Sequence, residues 1–290
     1  MLLFDLRREG HLVLVTVDVL NLKFLERNSM KKRILAAAVV ATFGAGFACA
    51  DDVKPADVPA PAAPIAVTDA STPDNVVTYN IAVASDYRYR GISQTRLDPA
   101  LQGGADYTNN PTGFYLGTWL SSIKWISDAG GSDNVEWDMY GGKRGDLIKD
   151  KLSYDVGVLS YVYPSNDLHP SANTTELYGQ LGFGPSFYAK YSFAVSNLFG
   201  FANSKNSGYL DLGANIDVGN GFTINLHGGH QTVENNSASS YTDWKAGVTK
   251  DFGVVSGALA VIGTNTNNYV APNGTNLGKT SLVLLVTKTF

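Results

Sequence analysis

The side chains able to do chemistry fall at every second position of short runs. Asp86, Arg88 and Arg90 form one such set, Glu136 and Asp138 another, and Asp243 with Lys245 a third. Asp155, Glu176, Lys190, Asp211, Asp217 and His227 take equivalent places in other segments. A spacing of two puts such groups on one face of an extended chain. Charges of both signs on that face suit a hydrated interior, where they set ion preference; in hydrocarbon they would be costly. The same charges could instead pair with one another as structural ties.

Catalysis finds less support. His227 and His230 are the candidate bases for a serine nucleophile, yet no Ser and His stand at matching positions of neighbouring segments. After residue 50 the histidines are His169, His227 and His230, and Asp167 with His169 makes at most a loose loop site, so neither a metal nor a cofactor is expected. The single cysteine, Cys49, excludes a disulfide framework. The Gly-rich pieces lack the strand-turn-helix setting and the lysine of a phosphate loop. These features predict no enzyme.

The elements that position the charges are strands. The chain has 290 residues with 17% charged, 11% aromatic and 30 Gly, and only 3 Met. That balance favours strands and turns over amphipathic helices. From Val76 onward apolar and polar residues alternate: Val77, Tyr79, Ile81, Val83, Ser85, Tyr87 and Tyr89 face one way, and Thr78, Asn80, Ala82, Ala84, Asp86, Arg88 and Arg90 the other. Turn signals divide the remainder into twelve strands: 77–90, 99–108, 113–125, 134–143, 151–163, 174–184, 186–196, 207–218, 221–231, 241–251, 254–265 and 279–290. Connections alternate between tight turns, such as Gly184-Pro185, Gly219-Asn220 and Phe252-Gly253, and longer polar loops, such as 164–174 and 266–279. Short turns at one end and loops at the other describe an all-β, up-and-down antiparallel barrel.

Upstream, Met30-Lys31-Lys32-Arg33, an uncharged stretch over 34–50 and the small pair Ala48 and Ala50 make a three-part export signal with cleavage after Ala50. Residues 1–29 then read as an extension ahead of the true start at Met30. Residues 51–75, with five prolines, read as a Pro/Ala-rich linker in the periplasm. What remains after residue 50 holds 15 basic and 22 acidic side chains, a poor basis for binding nucleic acid.

Alternation alone leaves open which face is outside, because a soluble barrel would bury the apolar one. The export signal, the even strand number and the terminal Phe290 favour a transmembrane barrel of 76–290 with its apolar face in lipid. Tyr79 and Tyr89, about 33 Å apart along one strand and about 25 Å across at a 40° tilt, would mark two aromatic girdles. Leu282, Leu284, Val286, Lys288 and Phe290 resemble the end signal read by the barrel-assembly machinery, with Lys288 in an apolar place and able to snorkel.

The run Ala84-Ser85-Asp86-Tyr87-Arg88-Tyr89-Arg90-Gly91-Ile92-Ser93-Gln94-Thr95 carries a further resemblance. With it go Pro99-Ala100-Leu101-Gln102-Gly103-Gly104, Gly113-Phe114-Tyr115-Leu116-Gly117-Thr118-Trp119, Tyr154-Asp155-Val156-Gly157, Glu176-Leu177-Tyr178 and Lys288-Thr289-Phe290. Together these resemble the TorF family of proteobacterial porins over nearly all of 76–290. The resemblance implies a Gram-negative outer-membrane β-barrel and brings no substrate with it. The expectation is a narrow channel for small hydrophilic solutes or ions, lined by Asp86, Arg88, Arg90, Glu136, Asp138, Lys190, Asp211, Asp243 and Lys245. The competing expectations are a barrel plugged by paired charges that binds a partner through its loops or linker, and a soluble exported carrier.

Overall fold

The computed structural model describes residues 73–290, together with a backbone pairing of Arg7–Arg8 with His11–Leu12 in a separate N-terminal unit. Apart from that pairing, the expected extension, the export signal and nearly all of the linker lie outside the described residues.

Twelve antiparallel strands close into one barrel. They are β1 (Asn75–Ala84), β2 (Ala100–Asn109), β3 (Phe114–Ser122), β4 (Val135–Ile148), β5 (Leu152–Val162) and β6 (Thr174–Phe183). The second half is β7 (Phe187–Ala194), β8 (Gly208–Gly219), β9 (Phe222–Thr232), β10 (Tyr241–Asp251), β11 (Ser256–Thr264) and β12 (Ser281–Thr289). Every strand pairs with its sequence neighbours, and β12 pairs back onto β1 from Leu285↔Ala84 to Thr289↔Asn80. The Phe290 amide extends that seam by donating to the Tyr79 carbonyl at 2.8 Å. Closure leaves no exposed sheet edge.

The outward face is apolar and exposed on every strand, from Val77, Ile81 and Val83 on β1 to Leu282, Leu284 and Val286 on β12. At the turn end it carries Phe114, Phe183, Phe187, Phe222, Phe252 and Phe290, and at the loop end Trp137, Tyr191, Phe193 and Trp244. Lysines lie over the turn-end rings, Lys250 4.6 Å from Phe222 and Lys288 5.2 Å from Phe290. Their stems cover aromatic surface while the ammonium groups reach the rim, which accounts for Lys288 in its apolar place.

The first strand ends earlier than its alternation predicts. A run over 77–90 is longer than the ~9–11 residues a membrane barrel strand needs, and the chain leaves the wall after Ala84. Residues Arg88–Tyr89 and Ile92–Ser93 then pair as a small hairpin inside the barrel. Tyr87 is therefore 1% exposed, and Tyr89 packs edge-on to Tyr161 within the lumen. The proposed girdle pair of Tyr79 and Tyr89 is thus corrected: only Tyr79 faces outward, at 56% exposure. Trp244 and Phe252 frame the outward band instead, about 27 Å apart along the chain and about 20 Å across at a tilt near 40°.

Strand three also stops short, at Ser122, before a single helical turn, Trp125–Asp128. Strand four runs on to Ile148 rather than ending at 143. Two loops expected to be polar, and the ends of two expected strands beside them, turn apolar side chains into the mouth of the barrel. Ile126, Trp125, Tyr163 and Phe199 pack there with Tyr87, Trp119 and Leu285.

Candidate functional site

The site is the barrel interior, and its walls differ around the ring. On β11, β12 and β1 the inward residues are small or apolar: Ala258, Ile262, Val283, Leu285, Ala82 and Ala84. From β4 to β10 they include most of the wall's charges and tyrosines, interspersed with small and uncharged polar residues. The last strand turns Val283 and Leu285 inward, where Leu285 meets the apolar part of the inturned loops.

The hairpin crosses this interior. Leaving β1, it reaches β4 through the Tyr87 hydroxyl, which donates to Glu136 Oε1 at 2.6 Å. It reaches β5 through the Tyr89 hydroxyl, 2.7 Å from that of Tyr161. Arg90 extends to β6 and β9: its two Nη atoms donate to the Glu176 carboxylate at 3.1 and 2.7 Å, and Nη1 donates to Gln231 Oε1 at 2.5 Å. Its guanidinium also lies 4.1 Å from the centre of the Tyr209 ring on β8. In a ring of twelve β7 stands opposite β1, so the Arg90 side chain carries the hairpin's reach across the lumen to β6 beside it.

The hairpin is also bonded within itself and to the last loop. Asp86 receives Arg88 Nε and the hydroxyls of Ser93 (2.5 Å) and Thr95 (3.2 Å). Arg88 Nη1 donates to the carbonyls of Gly91 (2.8 Å), Leu277 and Lys279 (both 3.1 Å), fastening the hairpin to the last loop. Arg90 and Gly91 occupy the turn with φ of +45° and +78°. Such a two-residue turn favours Asn-Gly or Gly-Gly. Arginine stands at the first position although left-handed backbone resists a side chain, and only its long fork spans the gap to Glu176. At Gly91 a Cβ would meet Asp243 Cβ at 2.7 Å, so the tip rests directly on β10.

Below the hairpin the wall carries a band of hydrogen-bonded tyrosines and carboxylates. Tyr115 donates to Asp155 at 2.6 Å and Tyr140 to Asp106 at 2.5 Å. Tyr115, Tyr140, Tyr178 and Tyr188 each stand directly opposite a glycine, at Gly142, Gly117, Gly157 and Gly213. Each ring can therefore lie over the neighbouring backbone rather than project into the lumen. Lys190 rests 4.3 Å from the Tyr178 ring and Arg144 5.1 Å from that of Tyr115. Sequence reasoning missed this pairing, although the in-facing glycines were its signal.

The predicted interior residues take three kinds of place. Glu136, Asp138, Lys190, Asp211, Asp243 and Lys245 stand on the wall and face inward. Asp86, Arg88 and Arg90 lie inside but on the hairpin, where they are buried and bonded rather than on a wall strand. Asp217 is exposed beside the β8 to β9 turn, where its carboxylate accepts from the Gly219 amide at 2.7 Å.

The histidines part company too. His230 points outward and bonds Thr242 Oγ1 at 2.9 Å. His227 points inward between Asp211 (2.8 Å from Nδ1) and Asp243 (2.6 Å from Nε2), with the Tyr209 hydroxyl 3.1 Å from the same Nε2. Both ring nitrogens face carboxylates, an arrangement that ties β8, β9 and β10 together and leaves neither nitrogen aimed at a nucleophile. Among the described residues no group of three or more His, Cys, Asp or Glu is placed to hold a metal.

Sequence comparison places residues 68–290 in a family described as "Bacterial protein of unknown function (Gcw_chp)". The chain belongs to that family. No curated protein matches it. Among solved structures, a KdgM porin is similar, with TM-score 0.47 and 8% identity over 74% of this chain and 97% of that one. LpxR from Salmonella typhimurium gives TM-score 0.37 and 12% identity over 73% and 99%. A mutant Rh. blastica porin gives TM-score 0.34 and 10% identity over 65% and 55%. Likeness at this level bears on neither ligand nor activity.

Proposed function

We propose that this chain is an outer-membrane barrel of a Gram-negative bacterium that lets small hydrophilic solutes and ions diffuse through a narrow, charged lumen. The observation that carries the reading is the sorting of side chains on a closed barrel: apolar residues exposed outward on all twelve strands, and the wall's buried charges turned in. Backbone groups satisfied all round the ring and an apolar exterior are what hydrocarbon demands of a spanning sheet. The resemblance to TorF porins and the export signal support the same location, with the linker in the periplasm.

Within this reading outer-membrane lipid surrounds the band and the barrel-assembly machinery binds the strand that closes with Phe290. Solute preference belongs to Glu136, Asp138, Lys190, Asp211, Asp243 and Lys245 on the wall, with Asp86, Arg88 and Arg90 narrowing the path from the hairpin. A second reading, a non-conducting barrel that binds partners through its loops, is favoured by the burial of the hairpin across the lumen.

The test is single-channel conductance of the chain from residue 51, refolded in detergent and shown to migrate differently before and after heating. Discrete steps that scale with salt are expected. A folded barrel without steps supports the second reading, and fractionation only with soluble proteins overturns both.

A further inference from the structure

We propose that the hairpin over residues 86–95 is a displaceable gate of this lumen, latched to the far wall by Arg90; the proposal rests on the channel reading above. Three features distinguish the hairpin from the fixed parts of the mouth. Its own backbone pairing is two residue pairs, Arg88↔Ser93 and Tyr89↔Ile92, too short to be stable alone. It is held by its contacts.

Those contacts combine the polar bonds of Arg88 and Arg90 with packing of Tyr89 on Tyr161 and Phe199 and of Ile92 on Tyr241, Ala271 and Leu277. Arg90 holds Glu176 and Gln231, the Tyr89 hydroxyl meets Tyr161, and Arg88 holds the Leu277 and Lys279 carbonyls. Withdrawal would leave wall groups that water can solvate in a wet lumen. The neighbouring loops bury Ile126, Leu198 and Val233 where the hairpin buries the single aliphatic Ile92, so the hydrophobic effect opposes their exposure more than its own.

The hairpin also has a fixed base and a clamped tip. Tyr87 packs edge-on to Trp119 at 5.3 Å, its carbonyl accepts from the Gln94 amide at 2.8 Å, and its amide donates to Thr95 Oγ1 at 3.1 Å. Beyond that base, Arg90 is held at φ +45° while its guanidinium is clamped. The positive φ belongs to the two-residue turn itself, so the guanidinium clamp is the contact that opening has to break.

The experiment compares four refolded proteins in planar bilayers, each first checked for heat-modifiable migration. They are the chain from residue 51, Arg90→Ala, Glu176→Gln, and a chain whose residues 88–93 are replaced by Gly and Ser. A fifth, Gly91→Cys with Thr264→Cys, locks the tip to β11, where a Cβ on residue 91 would lie 2.6 Å from Thr264 Cγ2; without Cys49 the protein has no other thiol.

Time-averaged conductance is expected to rise at least about threefold in Arg90→Ala and further in the replaced hairpin, with a smaller rise in Glu176→Gln. Because a Cβ at residue 91 also lies 2.7 Å from Asp243 Cβ, the cysteine pair is compared with itself: oxidation should lower conductance and reduction should raise it again. A parent that conducts while the replaced hairpin conducts equally and oxidation leaves the cysteine pair unchanged overturns the gate and leaves the channel standing. Folded proteins that all fail to conduct, the replaced hairpin included, overturn the channel and the gate together.

Discussion

Moving a single charge by one residue tests the orientation of the wall. Lys245 is at the middle of β10 and faces inward, and the adjacent Ala246 is exposed on the outward side. The double substitution Lys245→Ala with Ala246→Lys keeps composition and net charge and turns the ammonium from lumen to exterior. A lysine on the lipid face at the bilayer midplane costs about 2–4 kcal/mol, whereas lumen substitutions are close to neutral. The double variant should therefore lose about 2–4 kcal/mol relative to Lys245→Ala alone, roughly 30- to 900-fold in the folding equilibrium. The new neighbours strengthen the expectation: Leu226 and Val261 pair directly with position 246 and are exposed beside it, so they offer the charge no partner. Denaturant titration of folding into phospholipid vesicles, followed by tryptophan fluorescence, measures the difference. If the double variant matched Lys245→Ala within about 0.5 kcal/mol, the outward face would not sit in hydrocarbon, and the sorting that carries the membrane reading would need another cause.

Two further outcomes follow from the site. Gly157→Ala places a methyl 2.5 Å from the Tyr178 hydroxyl and 2.6 Å from the Gly141 carbonyl, so the ring must leave the wall; a loss of about 1–3 kcal/mol is expected in the same titration, and a neutral result would show that the ring is free to move. In the last loop, burial pushes the Tyr269 hydroxyl above its ordinary range while it donates to the Ser239 carbonyl at 2.7 Å. A phenol raised on folding contributes stability that is constant below about pH 10 and lost as pH climbs toward the folded value. Protease protection of this loop should fall above pH 10, and Tyr269→Phe should flatten that fall; an unchanged profile would assign the alkaline loss to other groups.

Part of this molecule was written in local sequence. Alternation with period two and the turn residues located twelve strands and sorted Leu210, Leu212 and Leu226 from Asp211, His227 and Asp243, because both signals depend only on residues a few positions apart. The same rule failed at 85–90, where alternation continues after the chain has left the wall. An extended hairpin strand has the same period as a barrel strand, so the pattern could not tell them apart. The surplus over the ~9–11 residues a tilted strand needs, and Arg90-Gly91 as a turn, were the available clues. What only the tertiary structure decided was the partners: Arg90 with Glu176 is a contact 86 residues apart and Arg90 with Gln231 is 141 apart. Those distances close only when the ring closes, and ring closure is set by the registers of all twelve strands together. The burial of Leu285 on the inner face of β12 has the same origin: loops from elsewhere in the chain fill the lumen beside it.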